Sequence, residues 1–192
     1  VALGMTAQRN AVVLLDNGSS ALPLATETRI FVDGLKPSVA AQYGTVVDTP
    51  EQADVVLLFL NTVFNGNQPA GTDSTFDQMM ATRFPDTNLA FSDEILAKAA
   101  SYSDVSQLVT LVDLNRPAVL TELKGMSGAL VGTFGVSDEA MLDVVFGRHN
   151  PVGKLPFELP SSMAEVAAQL AVMPDDTANP PFPYCRGLAY EE

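Results

Sequence analysis

The sequence of 192 residues is poor in cysteine, histidine and positive charge, and it contains no tryptophan. Its one cysteine, Cys185, excludes a disulfide within the chain, and with only His149 beside it a zinc site of Cys and His ligands is not expected. Lys and Arg total 10 against 23 Asp and Glu, which gives a formal net charge of −13. Binding to nucleic acid or to an anionic membrane surface is therefore not expected, because few cations are available to displace counterions.

Long apolar runs are also missing. No run reaches the roughly 18 residues of a membrane span, while a hydrophobic content of 47% is typical of a globular domain. The first ten residues lack the charged start and apolar core of a signal peptide and look like the interior of an amphipathic helix. We therefore expect a piece cut from a longer polypeptide, of bacterial source, with the sequence leaving cytoplasm or export open.

Two common kinds of catalytic loop are absent as well. A serine hydrolase needs a histidine beside a Gly-x-Ser-x-Gly turn, and residues 125–129 (GMSGA) lack the final glycine. Residues 147–154 superficially resemble a phosphate-binding loop, but five residues separate the two glycines instead of four, and the segment follows a predicted helix. We expect neither an organic cofactor nor a metal.

Apolar segments alternate with helical ones along the chain. Continuous apolar runs of this kind predict strands that are buried on both faces of a parallel sheet. Strands are predicted at residues 29–34, 45–47 (near an edge), 54–61, 107–114 and 129–134. Helices are predicted, from serine caps, a proline in the first turn and a closing glycine, at residues 92–102, 117–124, 137–146 and 161–170. The pattern predicts a three-layer α/β sandwich with a mostly parallel sheet of about five or six strands.

The chain reads as one domain in three parts. Residues 1–24 form an opening helix and loop, residues 25–172 the sandwich core, and residues 173–192 a Pro-rich arm that packs in an extended form. In residues 62–88 the apolar side chains recur at neither helix nor strand spacing, and the segment is much longer than an ordinary connection between strand and helix. Because they follow a buried strand, they lie where open α/β sheets build their sites.

Three motifs carry a resemblance to a known family. They are AVVLLDNGSSALPL at residues 11–24, GRHNPVGKLPFELP at residues 147–160 and FPYCRGLAY at residues 182–190. In this order they resemble the C-terminal domain of family 3 glycoside hydrolases, the β-glucosidase-like enzymes. Arg116-Pro117 matches the core of a further family pattern, N-x-G-R-P. In the second motif, Pro151, Gly153 and Pro156 are expected to hold the chain in an extended route over the sheet edge.

The resemblance implies a function shared between two domains. In the family, a (β/α)8 barrel carries the catalytic aspartate, and the sandwich domain lends loops to the sugar pocket. The implied partners are such a barrel and a β-linked glucoside or oligosaccharide, and the implied reaction is retaining hydrolysis. No barrel fits within this sequence, so we expect the chain by itself to be inactive.

Many members of the family supply a general acid/base glutamate just after the strand equivalent to residues 54–61. Residues 61–73 read NTVFNGNQPAGTD here, without glutamate, so the first carboxylate, Asp73, becomes the candidate acid/base. Asp93 and Glu94 are interpreted as helix-capping residues, and Asp113 as a buried group with a partner. The candidates for binding sugar hydroxyls are Asn61, Asn65, Arg83 and Arg116.

Two alternatives to a catalytic domain remain. The missing glutamate favours a non-catalytic carbohydrate-binding or structural domain that accompanies a barrel. A flavodoxin-like or receiver-like signalling domain fits the alternation of strands and helices but not the loops rich in Pro and Gly. A receiver also needs a phosphorylatable aspartate after the third strand, which ends here in Asn61.

Overall fold

The computed structural model describes residues 2–62, 88–170, 173 and 175–190. Asp73, Asn65 and Arg83 lie outside these residues. The strands of the described part are β1 (Val13–Asp16), β2 (Arg29–Asp33), β3 (Thr45–Val46), β4 (Val55–Asn61), β5 (Gln107–Asp113) and β6 (Ala129–Thr133). Its helices are α1 (Ala2–Asn10), α2 (Pro37–Ala40), α3 (Asp93–Ser103), α4 (Thr121–Met126), α5 (Asp138–Val145) and α6 (Met163–Ala168), with one 3₁₀ turn at Pro50–Gln52.

The six strands form one sheet in the order β1-β6-β5-β4-β2-β3. Strands β2 to β6 pair in parallel, and β1 alone runs antiparallel, beside β6. This confirms the prediction of an α/β fold with a mostly parallel sheet. The two-residue β3 lies at one edge, as the sequence predicts.

Strand β1 corrects the prediction that residues 1–24 contain only a helix and a loop. Val13 pairs with Gly132 of β6, so the strand extends the sheet by one position. Its side chains alternate between the two faces: Val13 and Leu15 pack on one face and Leu14 on the other, and all three are buried. Both faces of β1 are covered, so the apolar run has no polar alternation and was hard to distinguish from helix.

Two apolar clusters fill the two sides of the sheet. The first-layer cluster joins the sheet to α2 and α5, with Ala40, Leu142 and Val145 buried. The second-layer cluster joins it to α3 and α4, with Ala99 and Leu123 completely buried. The sheet with these two helical layers is the predicted three-layer sandwich.

A buried ionic group ties the first layer together. The carboxylate of Asp143 on α5 accepts from Arg9 Nε of α1 at 2.6 Å and from the Tyr43 hydroxyl at 2.9 Å. The Arg148 guanidinium lies over the Tyr43 ring, 4.0 Å from its centroid. The helix at the start of the chain is therefore fixed to the domain by hydrogen bonds as well as by packing.

Of the four predicted helices, three begin within two residues of the predicted start and one does not. Ser92 and Ser137 cap α3 and α5, and each side chain accepts from a backbone N–H three residues later. The prediction that Pro117 opens a helix is wrong, since α4 begins at Thr121. Val119 instead forms a parallel bridge with Ala90, before the helix starts.

The three motifs that carry the family resemblance meet one another beside β1. Leu155 N donates to Arg186 O at 2.8 Å, and Leu188 N donates to Leu14 O at 2.8 Å. A Cβ at Gly153 would overlap the carbonyl oxygen of Val12, so this glycine allows the close approach of two backbones. The C-terminal arm thus lies against the outer edge of β1 and covers backbone groups that an edge strand otherwise exposes. This position agrees with the extended route predicted for the second motif.

Candidate functional site

The carboxyl edge of the central strands holds the candidate site. Strand β4 ends at Asn61 and β5 at Asp113, and the two residues pair in register. The neighbouring strands follow the order β3-β2-β4-β5-β6, in which the direction of winding reverses between β2 and β4. Open sheets of this kind bind ligands outside the carboxyl ends of their strands, near the reversal. The connection over residues 63–87 leaves the sheet from this edge.

Asp113 is the organising carboxylate of the edge. It is buried, and it accepts hydrogen bonds from Gly135 N at 2.7 Å, from Thr133 Oγ1 at 3.1 Å and from Asn115 Nδ2 at 2.7 Å. These donors satisfy both carboxylate oxygens. The prediction that Asp113 is a buried residue with partners is confirmed, and its geometry suits holding loops in place.

Thr62 and Arg116 lie next to this carboxylate. Thr62 is buried, and both its N–H and its hydroxyl donate to the Asp113 carbonyl, at 3.1 and 2.9 Å. Arg116 Nε donates to the carbonyl oxygen of Thr62 at 3.1 Å. Its Nη2 donates to the carbonyl oxygen of Asn88 at 2.9 Å. These contacts of the guanidinium are therefore with main-chain oxygens.

A small cleft opens between the end of β4 and the start of α3. It brings together two of the residues predicted to bind sugar, Asn61 and Arg116. Its lining residues are Asn61, Thr62, Leu89, Ala90, Phe91, Ile95, Arg116 and Ala118. An apolar wall with a few polar groups is the ordinary composition of a small-molecule site. Such a wall can contact the C–H face of a sugar ring while an exposed amide such as Asn61 reaches a hydroxyl.

The other predicted site residues are not placed by the structure. Asp73, the candidate acid/base, and Asn65 and Arg83, candidates for sugar binding, lie outside the described residues. Their roles stay predictions, as does sugar binding by Asn61 and Arg116. Asp93 and Glu94 lie in the first turn of α3, where negative charge favours the helix dipole, as predicted.

A second polar group near the carboxyl edge was not identified from the sequence. The Tyr102 hydroxyl donates to Asp33 Oδ2 at 2.9 Å, and Lys98 Nζ lies 2.5 Å from the same oxygen. Burial and the Asp33 carboxylate raise the pKa of Tyr102 to about 12. Asp33 ends β2 while Lys98 and Tyr102 are on α3, so the sequence gives no signal that they meet.

Within the part of the chain that the structure describes, no three His, Cys, Asp or Glu side chains group as metal ligands. The described helices are all too short or too polar to cross a membrane. Among the described residues, the candidate site consists of the buried Asp113 carboxylate, Arg116 with main-chain oxygens as partners, and an apolar cleft.

The open, mostly parallel sheet between two helical layers defines an α/β domain of the three-layer sandwich class. Residues 31–190 match the model of the glycosyl hydrolase family 3 C-terminal domain. The chain therefore belongs to glycoside hydrolase family 3, as a C-terminal domain, and the resemblance carried by the three motifs is confirmed.

Sequence similarity to named β-glucosidases supports this family assignment. The chain is 40% identical over 197 residues to beta-glucosidase C of Emericella nidulans, covering 100% of this chain and 30% of that protein. It is 37% identical over 187 residues to a periplasmic beta-glucosidase/beta-xylosidase of Dickeya chrysanthemi. That match covers 95% of this chain and 27% of the Dickeya protein. The chain thus spans about 30% of the length of these curated relatives. Fungal and bacterial proteins are both similar to it, so a specifically bacterial source is not supported.

Solved structures share the fold at low identity. A beta-glucosidase from Listeria innocua in complex with glucose matches 98% of this chain and 33% of its own, with a TM-score of 0.74 and 19% identity. The beta-D-glucoside glucohydrolase from Trichoderma reesei matches 98% of this chain over 36% of its own length, with a TM-score of 0.71 and 17% identity. The three-layer sandwich is therefore the fold of this family's C-terminal domain.

Proposed function

We propose that this domain serves a retaining β-glycosidase that hydrolyses β-glucosides, forming one wall of a sugar pocket whose other wall is a (β/α)8 barrel. The observation that carries this proposal is the 40% identity to a named beta-glucosidase over the whole chain. The cleft at the carboxyl edge of β4 and β5 supports it, because this edge is where an open α/β sheet contributes to a site.

The chemistry divides between the two domains. Retaining hydrolysis uses two carboxyl groups about 5 Å apart, one as nucleophile and one as acid/base. The barrel supplies the nucleophilic aspartate. Asp73 first protonates the leaving glycosidic oxygen and then removes a proton from the water that releases the sugar. The positions of Thr62 and Asn88 support this role, since both ends of the connection that carries Asp73 are held at the edge of the site.

Sugar recognition falls to polar residues around the apolar cleft. Asn61 offers an amide at the end of β4, and Phe91 offers an apolar surface beside it. Asn65 and Arg83 belong to the same connection as Asp73 and complete the set of candidates. Without the barrel nucleophile the covalent step cannot occur, so the chain alone binds at most weakly and does not turn over substrate.

A non-catalytic carbohydrate-binding or structural role is the second candidate. It is favoured by the sequence of residues 61–73, which contains no glutamate where family members commonly have one. Asp113, the buried carboxylate of the site, is already occupied by three donors and cannot take over the missing function.

A chimera separates these candidates. We would place the whole chain in the matched region of Emericella nidulans beta-glucosidase C and follow hydrolysis of 4-nitrophenyl β-D-glucoside. The chimera is expected to be active and the separate chain inactive. Asp73→Asn is expected to lower kcat about 100-fold, with partial rescue by azide, which attacks the glycosyl-enzyme without base assistance. Asp77→Asn, four residues along the same connection, is the matched control and should keep the rate.

Each result has a separate meaning. A folded but inactive chimera contradicts the proposed function. An active chimera whose rate is unchanged by Asp73→Asn removes Asp73 from catalysis and favours the non-catalytic alternative. A loss in Asp77→Asn alone moves the acid/base role from Asp73 to Asp77.

A further inference from the structure

Asn17 and Gly18 form one of the two Asn-Gly pairs of the sequence, the other being Asn65 and Gly66. Asparagine is thermolabile, and a following glycine hinders its reaction least, because glycine has no side chain and a mobile backbone. In the reaction the Gly18 nitrogen bonds to Asn17 Cγ, and the side-chain nitrogen leaves as ammonia with the proton of the Gly18 N–H. Water then opens the resulting succinimide at either carbonyl and gives aspartate or isoaspartate.

The fold engages both ends of the Asn17 side-chain amide. Nδ2 donates to Leu22 O at 2.9 Å, and Oδ1 accepts from Leu22 N at 3.0 Å. The Asn17 carbonyl also accepts from Ser20 N at 3.0 Å. One asparagine therefore closes residues 17–22, here called the Asn17 loop, with three hydrogen bonds.

Leu22, which binds the amide, is itself fixed to the core. It is 4% exposed and belongs to the first-layer cluster together with Leu24. Leu24 N donates at 2.9 Å to the carbonyl oxygen of Val145, the last residue of α5. Asn17 is half-buried, whereas residues 18–20 are exposed. Water therefore reaches the Asn-Gly bond, while the asparagine amide is held by an anchored segment.

The attacking nitrogen of Gly18 is occupied as well, since its N–H donates to Asp16 Oδ2 at 3.3 Å. Attack makes Asn17 Cγ tetrahedral and expels Nδ2, which ends the hydrogen bond from Nδ2 to the Leu22 carbonyl. Breaking a hydrogen bond inside a folded protein costs free energy. The Asn17 loop must therefore open before the succinimide forms.

We propose that Asn17 is a latent deamidation site, which is silent while its amide is paired with Leu22 and reacts when the Asn17 loop opens. Neither product can restore the pairing. In aspartate a carboxylate oxygen replaces the Nδ2 donor and faces the Leu22 carbonyl, and isoaspartate lengthens the main chain by one methylene. Both products loosen the segment that brings Leu22 and Leu24 into the core, so the modification marks chains in which this loop has opened.

Mass spectrometry of the complete 192-residue chain, kept in mildly alkaline buffer with and without urea, measures the protection. In urea Asn17 and Asn65 are expected to lose ammonia at similar rates, because both are followed by glycine in an unfolded chain. In native buffer Asn17 should react at least about 10-fold more slowly than in urea, since hydrogen bonds must first break. Equal rates for Asn17 in both buffers overturn the protection, and no reaction of Asn17 in urea overturns the site.

A matched pair of substitutions tests whether the opening is local. Leu22→Ala removes the side chain that anchors the Asn17 loop and should speed the reaction of Asn17 in native buffer by about 10-fold or more. Leu58→Ala removes a completely buried leucine of the second-layer cluster, on β4, which β5 and β6 separate from β1. This control should change the Asn17 rate much less. Equal acceleration would assign the reaction to the globally unfolded chain and overturn a local opening.

Asn17→Asp imitates the product and tests its effect on the fold. The variant is expected to unfold at a lower urea concentration, because a carboxylate oxygen now lies against the Leu22 carbonyl. Asn150→Asp is the control: Asn150 Oδ1 accepts from Tyr190 N at 2.9 Å, and a carboxylate accepts there equally well. Both variants gain the same charge. An equal loss in both would assign the effect to net charge and overturn the lost pairing as its cause.

Discussion

Tyr102 shows how the fold changes the chemistry of a single side chain. Its ring meets that of Phe31 edge-on, with centroids 5.8 Å apart, and its hydroxyl donates to Asp33. Burial, followed by the negative charge of Asp33, raises the pKa of Tyr102 to about 12. Burial and Asp143 do the same for Tyr43 on the other side of the sheet, also to about 12. Both phenols are held in the protonated form by their folded surroundings.

Stability should therefore fall in alkaline solution. A raised folded pKa contributes stability that is complete below the unfolded pKa of about 10 and is lost as pH rises towards about 12. We expect Tyr102→Phe to reduce the loss between about pH 9 and about pH 11.5, because one phenol with a raised pKa is gone. Urea denaturation at both pH values measures the effect. An identical loss in the variant and the unsubstituted chain contradicts it.

Local residue patterns were predictable, and contacts between distant residues were not. The caps Ser92 and Ser137 and the closing Gly147, which has a φ of 68°, follow from neighbouring positions alone. The pairs Asp33–Tyr102 and Arg9–Asp143 join residues far apart in the sequence. Nothing in the spacing of either pair shows that the partners meet.

Among the elements, β1 and the C-terminal arm depend on each other. Leu188 N donates to Leu14 O, and Arg186 Nε to Leu15 O. The segment at Gly153 lies between them, against the carbonyl of Val12. The outer strand of the sheet is thus stabilised by two loops that come from the last quarter of the chain.

Gly153→Ala should weaken this assembly. The new methyl would overlap the Val12 carbonyl, and because the obstacle is backbone it cannot turn aside. We expect a loss of about 3 kcal/mol in the free energy of unfolding, measured by urea denaturation. Gly125→Ala is the control, since a Cβ at Gly125 in α4 meets nothing within 4 Å. That substitution should be neutral or stabilise by up to about 1 kcal/mol, and equal losses in both variants would contradict the argument.

Elements with a strong local sequence pattern were predicted well, and those decided by tertiary contacts were not. Strands β4, β5 and β6 are long apolar runs, and the structure places them where the sequence predicts. Pro117 suggested a helix start, but Val119 pairs with Ala90 and the helix begins only at Thr121. A pairing between residues far apart in the sequence outweighed the local preference.

For the whole molecule, the two apolar clusters share one sheet. Alternate residues of β4 and β5 point into opposite layers, with Leu57 and Leu111 in the first and Val56 and Leu108 in the second. A substitution that disrupts the packing of one layer therefore also perturbs the strands against which the other layer packs. A single cooperative unfolding transition is expected.

Matched substitutions test this cooperativity. Leu142→Ala in the first layer and Leu123→Ala in the second each remove a completely buried side chain. Each should lower the free energy of unfolding by about 3 kcal/mol. Urea transitions followed by far-ultraviolet circular dichroism and by tyrosine fluorescence should coincide in both variants. A biphasic transition in either variant would show that the layers unfold separately.

The sequence predicted the place of the candidate site but not its contacts. The long connection after a buried strand pointed to the carboxyl edge, an inference that rests on topology. Two partners of Arg116 are the main-chain oxygens of Thr62 and Asn88, which every residue offers, so no residue type signalled them. The family resemblance supplied the chemistry that spacing alone could not.

The antiparallel pairing of β1 has a consequence for how the protein is made. Val13 pairs with Gly132, so β1 has no partner in the sheet until most of the chain has left the ribosome. At a translation rate of about 5–20 residues per second, β6 is synthesised roughly 6 to 24 seconds after β1. Leu188, which pairs with the outer edge of β1, is synthesised later still. During synthesis the domain therefore completes its central parallel strands first and adds β1 to the sheet last.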